Sequence, residues 1–170
     1  MERQLKLSRV RHFAAADAGS IAQHMNDPAI WRNLRDRVPH PYSVEDARAY
    51  LAAVAAGDLT AFAIDVAGAA VGAIGGRVDV DVRRRTFEVG FWLGRAFQGR
   101  GIVSEIVPPF VEWLFAEFDV NRIEAQVFGW NTASERVLAK AGFVREGVLR
   151  AAITKAGETT DLSIWAVVRA

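Results

Sequence analysis

Apolar positions along the chain switch repeatedly between a two-residue and a three-to-four-residue period, the signature of strands interleaved with helices. Leu5 to Val10 reads as a first strand, with Leu5 and Leu7 on one face. Asp17 stands where a helix N-cap would, ahead of a short helix through Met25 that Asn26-Asp27-Pro28 ends. Trp31 to Tyr42 mixes cations, aromatics and prolines; its prolines disfavour helix at the residues before them, so an ordered loop is predicted. Ser43 opens the next helix, with Glu45 and Asp46 in its first turn, Tyr50, Leu51 and Val54 on its buried side, and Gly57 at its stop.

Leu59 to Val66 and Ala70 to Val82 alternate as a hairpin around Gly68, the second arm interrupted by Gly75-Gly76. Arg83-Arg84-Arg85 reads as a solvated turn. In the strand Thr86 to Leu93, the side chains of Phe87, Val89, Phe91 and Leu93 share one face and Glu88, Gly90 and Trp92 the other. A helix from about Arg100 to Phe118 follows, carrying Ile102, Ile106, Phe110, Val111, Leu114 and Phe115 at helical spacing. Pro108-Pro109 predicts a kink or restart in it, since each interior proline costs ~3 kcal/mol. Arg122 to Phe128 is a strand with Ile123, Ala125 and Val127 inward. Gly129-Trp130-Asn131 turns into a short helix, Thr132 to Ala141, closed by Gly142. Phe143 to Arg150 and Leu162 to Val168 form a last strand pair joined across Lys155 to Glu158. No repeat, low-complexity segment or linker divides the chain. The expectation is one α/β (α+β) domain over residues 1–170 with a largely antiparallel sheet.

Composition narrows the chemistry. Lys plus Arg number 21 against 20 acids, a balance that argues against a duplex nucleic-acid binder. With no cysteine, a disulfide scaffold, a thiolate nucleophile and a Cys-ligated metal are excluded. His12, His24 and His40 lack metal-site spacing, so no metal is expected. No apolar run at the start serves as a signal, and none has the length of a membrane span. A soluble, cytoplasmic protein without membrane contact is the expectation.

The stretch Glu88-Val-Gly-Phe-Trp-Leu-Gly-Arg-Ala-Phe-Gln-Gly-Arg-Gly-Ile-Val-Ser104 passes from strand through a glycine-rich turn into a helix start, a ready anion site. Three phosphate loops compete for it. A dinucleotide fingerprint fits Gly99 and Gly101 but meets Ser104 at its last glycine. A P-loop fits Gly94 and Gly99, but Arg100 and Gly101 stand where lysine and the magnesium-binding hydroxyl belong. The pyrophosphate loop of acyl-CoA-dependent N-acetyltransferases, Gln/Arg-x-x-Gly-x-Gly/Ala, matches at Gln98 and Gly101 and departs at its final small residue, Val103.

Downstream, Asn131-Thr-Ala-Ser-Glu-Arg-Val-Leu-Ala-Lys-Ala-Gly-Phe143 resembles a characteristic segment of the GNAT superfamily, in its RimJ/RimL-type branch of ribosomal-protein N-terminal acetyltransferases. Trp31-Arg-Asn-Leu-Arg-Asp, Pro39-His-Pro-Tyr-Ser and Glu88-x-Gly-x-Trp-Leu are similar to further segments of that branch, in the same order. The resemblance implies the GNAT fold: a twisted, mixed, largely antiparallel sheet of about seven strands with helices on both faces. It implies acetyl-CoA as cofactor, with CoA as product, and a primary amine as acceptor, either a protein or peptide N-terminus or a small molecule. A non-catalytic CoA-binding sensor or scaffold is the alternative, and family members often pair as homodimers through their C-terminal strands.

By the same resemblance, Gln98, Gly99, Arg100, Gly101, Ile102, Val103 and Ser104 would underlie the pyrophosphate. Trp92 and Leu93 would offer backbone hydrogen bonds to the pantetheine, joined by Asn131. Asn131 also reads as an ordinary helix cap, and the two roles can coexist. Ser134 would protonate the departing thiolate, or serve as an ordinary first-turn hydroxyl. Glu88 would be the base, directly or through water, or else a solvated strand acid. Trp31, Asn33, Arg37, His40 and Tyr42 would line the acceptor, against the plain alternative of loop packing; arginines there suit an acidic acceptor.

Overall fold

The two-residue periods become strands and the longer ones helices. In order they are β1 (Arg3–Gln4), β2 (Arg9–Arg11), α1 (Ala18–Met25), α2 (Pro28–Trp31), α3 (Val44–Ala55), β3 (Thr60–Val66) and β4 (Ala69–Val78). Then follow β5 (Thr86–Leu93), α4 (Ile102–Glu117), β6 (Arg122–Phe128), α5 (Thr132–Lys140), β7 (Val144–Lys155) and β8 (Glu158–Val168). This computed structural model describes residues 1–169. Hydrogen-bonded neighbours run β1-β2-β3-β4-β5-β6-β8-β7, so among the described residues the sheet has eight strands rather than about seven. The β5–β6 pair is parallel, and β1–β2, β2–β3, β3–β4, β6–β8 and β7–β8 are antiparallel.

The extra strand comes from the first segment. Leu5 to Val10 is not one strand: the Leu5 N–H donates to the Ser8 carbonyl at 2.9 Å, folding β1 back on β2. Two alternate leucines are too short a pattern to separate a strand from a turn, and Leu7 is left 42% exposed.

The chain forms two compact units. One comprises residues 1–76 with 91–102, the other residues 77–90 with the chain from Val103 onward. In the first, α1 packs on α3, and Ala18, Ile21, Ala22, Met25, Ile30, Tyr42 and Ala47 form a core that Phe13, Tyr50, Leu51 and Trp92 cover. Ser43 and Asp46 make the capping box that the sequence announces for α3. Asp17 does not cap α1 with its side chain. It accepts Arg11 at 2.8 and 2.9 Å and the Ala14 N–H at 2.8 Å, while Arg11 Nε also reaches Asp65 at 2.6 Å. A buried acid with a guanidinium beside it has a stronger partner than a helix end. In β4 small residues are required, because a Cβ on Gly72 would stand 2.5 Å from the Trp92 carbonyl and one on Gly75 2.3 Å from that of Thr60.

In the second unit Phe87, Phe118, Trp113 and Phe110 make successive ring contacts. α4 runs unbroken through Pro108 and Pro109, so the expected restart is absent. Ile106, Val107, Phe110 and Leu114 are all fully buried. At about 1.5–3 kcal/mol each, their burial outweighs the proline cost of ~3 kcal/mol apiece. β4 ends at Val78 rather than Val82, and Asp81–Arg83 forms a single tight turn. The last hairpin is longer than predicted, because Lys155 pairs with Glu158 across Ala156 and Gly157, both left-handed (φ 51° and 81°). No helix among the described residues is long and apolar enough to cross a membrane.

Candidate functional site

The residues singled out in the sequence fall into two groups. The first group is built on the end of β5. The Gly94 N–H donates to the Val71 carbonyl at 2.7 Å, tying the strand end to β4. Arg95–Phe97 makes one tight turn, after which Gln98 Nε2 donates back to the Leu93 carbonyl at 2.8 Å. Gly99 and Gly101 are left-handed, with φ of 74° and 83°, where a side chain would be strained. A Cβ on Gly99 would meet nothing within 4 Å, so the turn is open there. The motif glutamine therefore braces the turn rather than reaching away from it. Ile102 and Val103, at the start of α4, are buried, and Ser104 is partly exposed.

An aromatic and cationic stack supports this turn. The Arg100 guanidinium carbon lies 5.6 Å from the Phe97 ring centroid, and Phe97 meets His24 edge-on at 5.7 Å. Gly94 packs so closely on His24 that a Cβ would sit 2.7 Å from Nδ1. Burial holds the His24 imidazole below its ordinary pKa. The Trp92 side chain covers the α1–α3 core and its carbonyl lies against Gly72.

In the segment from Trp31 to Tyr42, Trp31 and His40 stack at 5.0 Å and 26°, with Trp31 Nε1 donating to the Val38 carbonyl at 3.2 Å. Asn33 Nδ2 donates to the Ala29 carbonyl at 2.9 Å, whereas its Oδ1 is buried and accepts no hydrogen bond from the described residues. Arg37 is exposed. Tyr42 belongs to the core at 7% exposure, and burial, with a lesser contribution from Asp46, pushes its hydroxyl up to about 12. Thus the structure brings Trp31 and His40 together and sets Tyr42 among the packing residues.

The second group lies on β5, β6 and α5. The parallel ladder pairs Thr86 with Arg122, Phe87 with Ile123 and Glu88 with Glu124. Glu88 is half-buried, but Glu124 is only 3% exposed. Arg122 reaches Glu124 at 2.8 and 3.0 Å, Arg83 at 3.2 Å and Gln126 at 3.4 Å. Burial works against the Glu124 charge, yet the Arg122 and Arg83 hydrogen bonds outweigh it and hold the carboxyl below its usual range. Arg122 continues to Glu146 at 2.6 Å, and Arg83 to Asp79 at 2.6 Å. Arg83 is thus an ion-pair residue, not merely a solvated charge. Strict alternation with Ile123 and Ala125 assigns Glu124 to solvent, but the pairing with two arginines buries it. Arginine two residues before it was the available signal.

Asn131 caps α5, its Oδ1 accepting the Ser134 N–H at 3.3 Å. Ser134 is partly exposed in the first helical turn. Beside it, Glu135 accepts the Ser163 hydroxyl at 2.8 Å, and Trp165 Nε1 donates to Ser163 Oγ at 3.0 Å. Neither Glu135 nor Ser163 carries a sequence signal, since both stand in ordinary helix and strand positions.

A family model described as an acetyltransferase (GNAT) domain matches residues 9–144. Probable N-acetyltransferase YjcK of Bacillus subtilis is 39% identical over 83 residues, which cover 49% of this chain and 46% of that protein. The matched segments span about half the length of the curated relatives. Among solved structures, ribosomal-protein-S5-alanine acetyltransferase from Vibrio fischeri superposes with a TM-score of 0.85 at 21% identity, covering 99% of this chain and 97% of that one. RimL, the ribosomal L7/L12 α-N-protein acetyltransferase in complex with coenzyme A, gives 0.83 at 18% identity, covering 99% and 98%. These likenesses establish the fold as the mixed α/β GNAT fold. With the family match extending over most of its length, from β2 into β7, the chain belongs to the GNAT acetyltransferase family.

Proposed function

We propose that the chain, as a single acetyltransferase domain, transfers an acetyl group from acetyl-CoA to a primary amine, and that the acceptor is the α-amine of a protein or peptide. The observation that carries this reading is the braced turn after β5, in which Gln98 holds Leu93 while Gly99 and Gly101 take left-handed conformations ahead of α4. Two such glycines leave the backbone bare where N–H groups at a helix start would face an anion. Arg100 adds a cation, and the buried Val103 is the one residue that departs from the motif.

Bound acetyl-CoA would supply a thioester already activated toward nitrogen nucleophiles. The chain's own residues then have three tasks. Residues Gly99 to Ser104 hold the pyrophosphate, with the Asn131 side chain and the backbone at Trp92 and Leu93 orienting the pantetheine. Glu88 takes the proton that the amine loses as its nitrogen bonds to the acetyl carbon. Ser134 gives a proton to the sulfur as the carbon–sulfur bond breaks, and solvent returns a proton to Ser134 as Glu88 releases its own. Without a cysteine, the amine attacks directly in a ternary complex, and positioning supplies much of the rate.

The preference for an α-amine follows from cost. Deprotonation at pH 7 requires about 1 kcal/mol for an α-amine of pKa ~7.7–8.0, but about 4.6 kcal/mol for a lysine near ~10.4. A site with a single carboxylate base suits the first. The names of the RimL and S5-alanine enzymes, both acting on ribosomal proteins, support the same choice. Trp31 and His40 form an aromatic surface for the acceptor, with Asn33 and Arg37 beside them in the segment. The test is thiol release from acetyl-CoA with a panel of peptides with free N-termini, amino acids, polyamines and aminoglycosides. Turnover confined to peptides supports the reading. Turnover confined to small amines overturns the acceptor assignment. Tight acetyl-CoA binding without any turnover points instead to a CoA sensor.

A further inference from the structure

Ser163 on β8 is 1% exposed and sits in the middle of a short hydrogen-bond chain. Trp165 Nε1 can only donate, and it donates to Ser163 Oγ at 3.0 Å. The single Ser163 proton then has two acceptors in reach, Glu135 Oε1 at 2.8 Å and the Val127 carbonyl at 3.2 Å. The carboxylate is nearer and charged, so it is the stronger acceptor. Donation therefore runs outward from β8 to Glu135, in the first turn of α5, where the helix dipole also favours an acid.

That turn is the one that carries the proposed ligand contacts. Glu135 directly follows Ser134, and the Asn131 side chain caps the Ser134 N–H. α5 has only nine residues. A helix so short does not hold its own end in one conformation, and tertiary anchors decide where its first turn stands.

We infer that Ser163 and Glu135 are positioning residues, mooring the first turn of α5 to β8 so that Asn131 and Ser134 keep one geometry toward bound acetyl-CoA. The inference rests on the acetyl-transfer reading. Trp165 orients the mooring hydroxyl, and neither Ser163 nor Glu135 touches the reacting atoms.

The experiment measures acetyl-CoA affinity by calorimetry for the unmodified chain and for Glu135→Ala, Ser163→Ala and Ser163→Thr, each also combined with Asn131→Ala, with Tm recorded for every variant. Glu135→Ala and Ser163→Ala are expected to weaken binding about three- to tenfold, the scale of one hydrogen bond. Ser163→Thr keeps the hydroxyl and is expected to retain the affinity. In the Asn131→Ala background the same changes are expected to cost nothing more. Glu135 is partly exposed on a helix surface, so its variant gives a folded protein even if Ser163→Ala does not. An undiminished loss in the Asn131→Ala background, or a threonine variant no better than alanine, assigns the pair a merely structural role and overturns the inference. So does unchanged affinity in Glu135→Ala when the unmodified chain binds acetyl-CoA. If the unmodified chain binds none, the acetyl-transfer reading falls and the inference with it.

Discussion

Gln98 Nε2 donates to the Leu93 carbonyl oxygen at 2.8 Å, so the glutamine of the glycine-rich motif is a brace inside the turn. Its removal leaves the turn free to open while Gly99 and Gly101 remain. Gln98→Ala is expected to weaken acetyl-CoA binding about two- to tenfold, the net value of one hydrogen bond, with little change in Tm. Calorimetry on the variant checks this. Unchanged affinity would show that the two glycines shape the turn alone.

Two substitutions probe the proposed chemistry separately. Gly101→Asp adds negative charge and strains a residue at φ 83°, so it is expected to abolish measurable acetyl-CoA binding. Glu88→Gln preserves shape but cannot accept a proton, so turnover is expected to fall about 10²-fold or more with acetyl-CoA affinity retained. A Glu88→Gln enzyme at full rate would remove Glu88 as the base and leave the proton to water.

Much of this was readable in advance, and the exceptions share a cause. The capping box of α3, the alternation of β5 and the glycine turn are each encoded within a few residues, and each appears where it was expected. Asp17, Glu124, Ser163 and the run through Pro108-Pro109 are decided by side-chain pairing and burial in the folded chain. Arg11 draws Asp17 from its cap, Arg83 and Arg122 allow Glu124 to be buried, and four buried apolar side chains keep α4 whole. Periodicity and capping patterns do not register such contacts, even where the partner, as with Arg11 or Arg122, stands only a few residues away. In the candidate site the same division holds, since the cofactor motif is contiguous while Glu135 and Ser163 lie 28 positions apart.

Glycines 72 and 90 look alike in the sequence but differ in the structure. A Cβ on Gly72 would stand 2.5 Å from a backbone carbonyl, whereas one on Gly90 would meet nothing within 4 Å. Gly72→Ala is expected to destabilise by about 1–3 kcal/mol through forced overpacking. Gly90→Ala is expected to be neutral or stabilising by up to about 1 kcal/mol, since it restricts the unfolded chain. Urea denaturation of both variants decides; equal midpoints would contradict the packing of β4 on β5.

His24 sets an expected pH dependence. Its folded pKa lies below the ordinary value of 6.5, because burial disfavours the imidazolium. The unfolded chain therefore binds the proton first, and stability falls as pH drops through 6.5 toward the folded value. The depressed carboxyls of Asp17 and Glu124 contribute stability that is lost only at lower pH, below the ordinary carboxylate range. Between pH 7.5 and 5.5 Tm is expected to decline, and His24→Gln to flatten that decline. A variant with the same slope would place the titration elsewhere.

The paired prolines of α4 have a mechanical consequence. Pro108 and Pro109 carry no N–H, so the carbonyls of Ser104 and Glu105 lose their donors four residues on, and two consecutive rungs are missing from the helical ladder. Side-chain burial keeps the rod continuous, but its leading segment is compliant where the remainder is stiff. A helix built this way is held in line by packing rather than by an unbroken ladder, so its first turn is tied to the rest by two fewer backbone hydrogen bonds than in an ordinary helix.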